Sequence, residues 1–216
     1  MSLINATLPV EMKVLSKRSF NRYELLLNHK QITTKSLIEL DVGATYLAEL
    51  YENKGGVINF KNLYKKPILP HFDGGLEIIM RLLEDENFDF KTFVINSLII
   101  AKNANDFKIF KEMLFALSQG IIHIPFVFEN KANLFQLKKS ENFCELFLFF
   151  SIFGNVKFII KSEKIQLLTP FFKVANFLTK NSVFEVAQDK GVRAFLSLKN
   201  CLILRVKIIK IWAKII

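Results

Sequence analysis

The chain has 216 residues, of which 51% are hydrophobic, and it contains 23 Phe but only eight Gly and five Pro. This composition excludes a disordered chain and predicts one large folded domain or two small ones. The longest stretch without a charged side chain, residues 113–128, is shorter than the roughly 20 residues that a membrane-spanning helix needs. Because the N-terminus also lacks a basic start followed by an apolar run, we expect a cytoplasmic protein without a transmembrane segment.

The net charge of +10 is unevenly distributed along the chain. After Asp189 there are seven basic residues and no acidic one, which leaves +3 for the first 189 residues. Only five of the 30 basic residues are Arg, whereas recognition of phosphate or guanine favours the arginine fork. We therefore do not expect nucleic acid to be the main partner. The apolar and basic tail, residues 201–216, has the composition for contact with an anionic membrane surface, for docking on a partner or for packing on the core as a terminal element. Its pattern fits neither helix nor strand.

Residues 1–66 are predicted to form a small β-domain. Short runs rich in β-branched and aromatic residues alternate with polar turns, at residues 13–17, 22–27, 31–35, 45–51 and 57–60. Asn28, His29 and Lys30 suit a hairpin connection, because Asn tolerates the left-handed backbone that such turns need. Five short strands in so short a segment predict a small closed barrel of the oligonucleotide-binding type, since closure removes exposed strand edges.

Residues 67–120 are predicted to form a linker followed by helices. Two Pro and two Gly interrupt the strand pattern between residues 65 and 75. Beyond them, apolar residues recur at helical spacing in three stretches, within residues 76–83, 88–101 and 107–117, and Gly120 ends the last one. Asp89 and Asp106 stand near helix starts, where acidic groups suit the helix dipole.

Residues 121–200 are predicted to form an antiparallel sheet packed with one or two helices. Strand patterns recur at residues 121–129, 132–138, 143–152, 156–161 and 165–168. Gly154 and Asn155 are predicted to make a turn between two of these strands, and a helix is predicted after Pro170. Residues 183–190 are predicted to continue that helix or begin another, and residues 192–198 to form a last strand. The chain as a whole is therefore predicted to be α+β.

Residues of catalytic or metal-binding type are scattered along the sequence. His29, His71 and His123 lie in separate predicted elements, and none has a Cys, Asp or Glu partner at the spacing of metal ligands. Cys144 is expected to be a buried, inert thiol, and Cys201 has no His or acidic residue beside it in sequence. We therefore expect no metal site at these residues.

The acidic cluster Glu84, Asp85 and Glu86, with Asp89 nearby, lacks the alternation and the glycine of a calcium loop. We expect it to be a solvated helix junction. The two Gly-Gly pairs of the sequence give no phosphate-binding motif. Taken with the scattered histidines, this predicts a protein without a cofactor and without enzyme activity.

One basic and aromatic stretch has the composition of a nucleic-acid site. Lys17, Arg18, Phe20, Arg22 and Tyr23 lie in a predicted strand-turn-strand segment, where rings stack bases and cations hold phosphates in proteins of that kind. The other interpretation, which we favour, is a set of core aromatic residues beside a solvated basic face. A nucleic-acid-binding module that uses the N-terminal barrel is therefore the alternative function.

Two stretches of the sequence resemble the flagellar hook-length control protein family and its shorter relatives, which work beside the flagellar type III export apparatus. Residues 13–50 are similar to the small β-domain of such relatives. Residues 144–160, with the segment Phe153-Gly154-Asn155-Val156, are similar to the family's C-terminal core. In that core a strand leads through a Leu-Gly-x-Val-x-Val-type turn into a second strand, a helix and a further strand.

The chain departs from the family pattern in three respects. Phe153 replaces the Leu of the turn, the Pro that usually precedes the turn is missing, and the 216 residues contain no long Pro- and Gln-rich ruler region. The resemblance thus implies a short, ruler-less relative whose C-terminal core contacts an export-gate protein. It implies an influence on export-substrate switching or hook assembly, with Phe153, Gly154, Asn155 and Val156 as the partner-binding residues.

Overall fold

A computed structural model describes residues 8–52, 58–162 and 164–195. Over these residues the chain is α+β, as predicted. Its elements in chain order are β1 (Val10–Ser19), β2 (Arg22–Leu27), β3 (Lys30–Lys35), β4 (Thr45–Glu52), β5 (Ile58–Lys65), α1 (Gly75–Glu84), α2 (Phe90–Ile99), α3 (Ala104–Ser118), β6 (Ile121–Phe128), β7 (Lys131–Lys139), β8 (Cys144–Phe150), β9 (Gly154–Lys161), β10 (Lys164–Thr169), α4 (Phe172–Asn181) and β11 (Glu185–Gln188). The basic tail, Cys201 and the predicted strand residues 196–198 lie outside the described residues.

Strands β1 to β5 form one antiparallel sheet in the order β3-β2-β1-β4-β5. Asn28 (φ 43°) and His29 (φ 64°) form the two-residue turn between β2 and β3, in the left-handed region that tight hairpins require. The predicted hairpin is therefore confirmed. The five predicted strands are present, although β5 runs on to Lys65 instead of ending at residue 60.

The predicted closed barrel is wrong, because the sheet stays open between its edge strands β3 and β5. Pairing irregularities between Val14 and Ser16 in β1, and between Leu47 and Glu49 in β4, bend the sheet until both edges line the same groove. Strand β3 carries one aliphatic side chain, Ile32, so closure would bury little apolar surface. The strand pattern of the sequence does not contain this information about the edges.

Helices α1 to α3 form the predicted helical segment, with α1 and α3 packed on β6 and α2 packed on α3. Asp89 caps α2: its carboxylate accepts hydrogen bonds from the Thr92 hydroxyl at 2.6 Å and from the backbone N–H groups of Thr92 and Lys91 at 3.1 Å. These bonds, the one from the Thr92 hydroxyl first, lower the pKa of Asp89. Asn103 caps α3 by accepting a hydrogen bond from the Asp106 N–H at 2.8 Å. The prediction that acidic groups stand at these helix starts is confirmed.

Strands β6 to β11 form the second sheet, in the order β11-β10-β9-β8-β7-β6. Neighbouring strands are antiparallel except β10 and β11, which are parallel with Gln166 opposite Glu185. The prediction of a wholly antiparallel sheet is therefore wrong at this edge. Helix α4 connects β10 to β11, and parallel neighbours need such a crossover.

Two further expectations for the end of the chain are wrong. Residues 183–190, predicted to be helical, contain β11, because a strand of four residues is too short for its periodicity to identify. Residues 192–195, predicted to begin a last strand, bond to side chains of the sheet instead. The Phe195 N–H donates to Oε1 of Gln136 at 2.8 Å, and Nε2 of Gln136 donates to the Phe195 carbonyl at 3.3 Å.

Strand β4 connects the two hydrophobic cores of the molecule. Its successive side chains face opposite ways, as in any strand. Ala48 and Leu50 lie in the core of the N-terminal sheet, whereas Leu47 lies in the core formed by the second sheet and the helices. Glu49 follows the same alternation as Leu47 and is fully buried. A carboxyl group therefore lies at the contact between the two parts of the molecule.

The carboxylate of Glu49 is held by donors from both parts. Its Oε2 accepts hydrogen bonds from the Tyr51 hydroxyl at 3.1 Å and from Nδ2 of Asn62 at 2.5 Å, and its Oε1 accepts one from the backbone N–H of Lys173. The side chain of Phe171, at the start of α4, caps no N–H group, so Glu49 supplies the acceptor and the negative charge that a helix N-terminus favours. Burial, together with the charge of Glu49 and the hydrogen bond to it, raises the pKa of Tyr51 to about 12.

We expect Glu49→Ala to lower the free energy of unfolding by roughly 2–4 kcal/mol, because buried donors lose their acceptor and α4 loses its cap. The matched control is Glu52→Ala, since Glu52 ends the same strand and is exposed. Its effect should stay within about 0.5 kcal/mol. Urea unfolding followed by circular dichroism measures both changes. A loss for Glu49→Ala no larger than that of the control would contradict this role of Glu49.

Candidate functional site

The predicted partner-binding segment, Phe153, Gly154, Asn155 and Val156, lies at the connection from β8 to β9. The turn itself is formed by residues 151–153. Gly154 is already the first residue of β9, where it pairs with Phe150. The prediction that Gly154 and Asn155 form the turn is therefore wrong, because both begin the following strand.

Gly154 lies where β4, β9 and the start of α4 meet. Its φ of +73° is in the left-handed region that favours glycine. A Cβ atom at this position would lie 2.4 Å from Cε2 of Phe171 and 3.2 Å from Cδ1 of Leu47. Backbone angle and space thus both require glycine, which allows Phe171 to pack directly on the strand.

The neighbours of Gly154 also hold other elements in place. Asn155 and Val156 are buried, and Nδ2 of Asn155 donates a hydrogen bond to the Val192 carbonyl at 3.1 Å. The ring of Phe153 stacks on Phe177 of α4, with centroids 6.1 Å apart and an interplanar angle of 29°. Phe153 therefore holds α4, and Asn155 holds the backbone at Val192, against the sheet. Of the four residues of the segment, Gly154, Asn155 and Val156 are buried, and Phe153 is partly accessible.

The side chain presented next to this junction is Phe172, the first residue of α4. The preceding Phe171 is fully buried against Gly154, whereas Phe172 is 47% exposed. The backbone on both sides of Phe172 is held, because Phe171 packs on Gly154 and the Lys173 N–H bonds to Glu49. A partly exposed aromatic ring on a fixed backbone is the kind of side chain that anchors protein interfaces.

Within residues 8–52, 58–162 and 164–195, the His and Cys side chains that the sequence offers for metal or acid–base chemistry lie in separate places. His29 lies in the β2–β3 turn, His71 lies with its Nε2 3.3 Å from Oδ1 of Asp73, and His123 lies in β6. Cys144 is buried in β8. Among the described residues, no group of three or more His, Cys, Asp or Glu side chains is placed to bind a metal ion.

The acidic cluster of residues 84–89 forms the junction between α1 and α2, as predicted. The Asp85 carboxylate accepts a hydrogen bond from the Asn87 N–H at 2.9 Å. Asp89 caps α2. The cluster thus has a structural role as a helix junction.

The basic and aromatic stretch around β1 and β2 does not form one surface. Tyr23 is buried, and its hydroxyl accepts a hydrogen bond from the Leu40 N–H at 3.3 Å. The guanidinium of Arg18 is paired with Glu24 at 2.8 Å. Phe20 lies exposed at the turn between the two strands. Paired cations and a buried ring leave little of this stretch to hold phosphates or stack bases.

A groove that the sequence does not reveal lies between β3 and β5, with a volume of about 840 Å³. Its floor includes the buried side chains of Met12, Leu25 and Leu40. Its sides are residues 34–38 and residues 59–63. The two edge strands of the N-terminal sheet therefore bound one concave surface.

The groove combines apolar and basic side chains. Leu37 is 99% exposed and Ile38 is 57% exposed. Three lysines, Lys35, Lys61 and Lys190, also line it, and none of its described lining residues is acidic. In the sequence, this apolar surface is indicated only by the adjacent Leu37 and Ile38, which follow the polar strand β3. These two residues line a groove because the sheet does not close between β3 and β5.

His123 of β6 is an ionisable side chain in a largely apolar environment. Its Nδ1 lies 2.9 Å from Nε2 of Gln136. Burial disfavours the charged imidazolium and lowers the pKa of His123 to about 4. The environment therefore keeps this histidine neutral in the folded chain.

Since the pKa of His123 is about 4 in the folded chain and near 6.5 when exposed, protonation between these values favours the unfolded state. We expect the free energy of unfolding to fall by about 2 kcal/mol from pH 7 to pH 5. His123→Gln should remove this loss, whereas His29→Gln, in an exposed turn, should keep it. Urea unfolding at both pH values measures the difference. An unchanged loss in His123→Gln would show that another group is responsible.

We expect Gly154→Ala to lower the free energy of unfolding by roughly 3 kcal/mol, from the left-handed backbone and from the collision with Phe171. The control is Gly43→Ala, because Gly43 has a φ of +85° but no atom within 4 Å of the added Cβ. It should lose roughly 1 kcal/mol. Thermal or urea unfolding gives both values. Equal losses would mean that packing on Phe171 contributes nothing.

In the described part of the chain, no helix has both the length and the apolar character needed to cross a membrane. Comparisons with protein-family models, with curated proteins and with solved structures found no match.

Proposed function

We propose that this protein is a non-enzymatic, protein-binding component that contacts an export-gate protein of flagellar type III export. Through this contact it influences substrate switching or hook assembly. The observation that carries the proposal is the presentation of Phe172 at the start of α4, between the buried Phe171 and the Lys173 N–H bound to Glu49. Aromatic side chains at fixed positions contribute much of the binding energy of protein interfaces.

The order of the elements around Phe172 supports this class of partner. Strand β8, the turn, β9, α4 and β11 follow the order of the C-terminal core in the hook-length control family, with β10 inserted before the helix. Gly154 is the residue that the resemblance matches to the family's turn glycine, and here it directly follows the turn as the first residue of β9. Because the resemblance assigns export-gate contact to that core, the proposed contact face is the edge of the second sheet formed by α4 and β11.

The four residues named by the resemblance have a positioning role in this proposal. Asn155 and Val156 are buried, and Gly154 provides the space for Phe171. Phe153 packs on α4 through Phe177. Their contribution to binding is to hold α4 in the orientation that exposes Phe172.

A second candidate function is nucleic-acid binding by the N-terminal sheet, which the three lysines of the groove favour. In the part of the chain that the structure describes, the groove lining has no Arg and a single aromatic side chain, the half-buried Phe60. Stacking of bases and bidentate contacts to phosphates depend on these two residue types. We therefore place this function second to protein binding.

We expect the full chain to bind the purified cytoplasmic domain of an export-gate protein, and Phe172→Ala to weaken that binding at least about tenfold. The matched control is Phe115→Ala, because Phe115 is 66% exposed on α3, outside the proposed face. Isothermal titration calorimetry measures the affinities, and unfolding midpoints verify that both variants fold.

Deletion of the protein is expected to alter flagellar hooks or motility in a flagellated host. Electron microscopy of hooks and a motility assay measure this. Absence of binding by the unaltered chain, together with normal hooks and motility after deletion, would overturn the proposed function. An equal loss of binding in both Phe variants would overturn the role of Phe172.

A further inference from the structure

The groove between β3 and β5 is bounded by two strands that, among the described residues, each have a single neighbour in the sheet. The antiparallel pairings through β2, β1 and β4 make β3 and β5 run in the same direction. An extended segment placed between them would be antiparallel to both. Edge strands present N–H and C=O groups that can pair with such a segment. The groove volume of about 840 Å³ is within the range of clefts that hold ligands.

The apolar side chains of the groove lie on both of its sides. Leu37 and Ile38 are exposed beside the end of β3, and Phe60 and Leu63 of β5 are half-buried opposite them. In an extended segment every second side chain faces the same way. The groove therefore favours a segment that has an aliphatic residue at alternate positions.

The charge of the groove is not compensated within the described part of the molecule. Lys35, Lys61 and Lys190 form no ion pair with any described carboxylate, although the ammonium of Lys61 lies 5.0 Å from the ring centroid of Tyr51. Other basic side chains of the same sheet are paired with carboxylates at 2.6–2.8 Å, namely Lys17, Arg18, Lys65 and Lys66. Lys13, Arg22 and Lys30 of the sheet also form no ion pair with a described carboxylate, so unpaired charge alone does not distinguish the groove. Its distinguishing feature is that three lysines and no acidic residue stand among its described lining residues, and this complements a negatively charged occupant.

We propose that this groove binds an extended, acidic segment of a partner protein, in which Asp or Glu alternates with aliphatic residues, by β-strand addition between β3 and β5. The backbone edges supply hydrogen bonds, the apolar sides accept alternate side chains, and the lysines select acidic residues. None of the groove residues belongs to α4 or β11, so this proposal and the export-gate contact can fail independently.

The test is a selection of random ten-residue peptides, displayed on phage, against the immobilised full chain. We expect the selected peptides to be enriched in Asp and Glu at every second position, with Val, Ile or Leu between them. A Lys35→Glu, Lys61→Glu double variant should bind the best synthetic peptide at least about tenfold more weakly. The control is Lys102→Glu, because Lys102 is an exposed lysine between α2 and α3. Fluorescence anisotropy gives the affinities, and unfolding midpoints show that the variants are folded.

Backbone methylation separates strand addition from attraction between charges. N-methylation of either set of alternate amides of the selected peptide should reduce binding at least about tenfold, because alternate N–H groups face opposite sides and the segment lies between two strand edges. No enrichment, enrichment without acidic residues, or no effect of N-methylation would each overturn the proposal. Tight binding of single-stranded oligothymidine that is steeply salt-dependent and lost in the double variant would also overturn it, in favour of a nucleic-acid site.

Discussion

A buried carboxylate destabilises a protein unless its oxygens accept hydrogen bonds, and removal of such acceptors leaves the donors unpaired as well. Glu49 meets this requirement only when three parts of the chain are assembled, namely its own strand β4 with Tyr51, strand β5 with Asn62, and the start of α4 with Lys173. The N-terminal sheet and the second sheet therefore cannot shift independently at this point. The orientation of α4 depends on a residue that lies 124 positions earlier in the chain.

The position of the start of α4 depends both on Glu49 and on the segment around Gly154. Glu49 fixes one side of the helix start, and Gly154 leaves space for Phe171 to pack against β9 and Leu47. The next side chain, Phe172, is then directed to the surface while its backbone is held on both sides. A buried segment of this kind can influence a partner without touching it, because it determines where the exposed ring lies.

The sequence predicted local features well and long-range features poorly, for physical reasons that particular residues illustrate. Asn28 and His29 identified a hairpin because left-handed backbone is a local property. The opening of the N-terminal sheet depends on bulges and on how much apolar surface β3 offers, which a strand pattern does not record. The sequence singled out Gly154 as a site residue, but it did not predict the role of this glycine in packing. That role depends on the close approach of Leu47 and Phe171, which are distant in the chain. The groove depends wholly on the open sheet and had no local signal beyond Leu37 and Ile38.

The lysines at the open edge allow a second explanation, since natural edge strands commonly carry Lys to prevent pairing with other chains. Lys30 and Lys35 at the ends of β3 fit that explanation. It does not account for Lys190, which comes from beyond β11 and still lines the same groove, nor for Leu37 and Ile38. An edge protected only against aggregation would not place two exposed aliphatic side chains next to a strand edge. The combination of apolar side chains with converging lysines is more consistent with a binding edge than with a protected one.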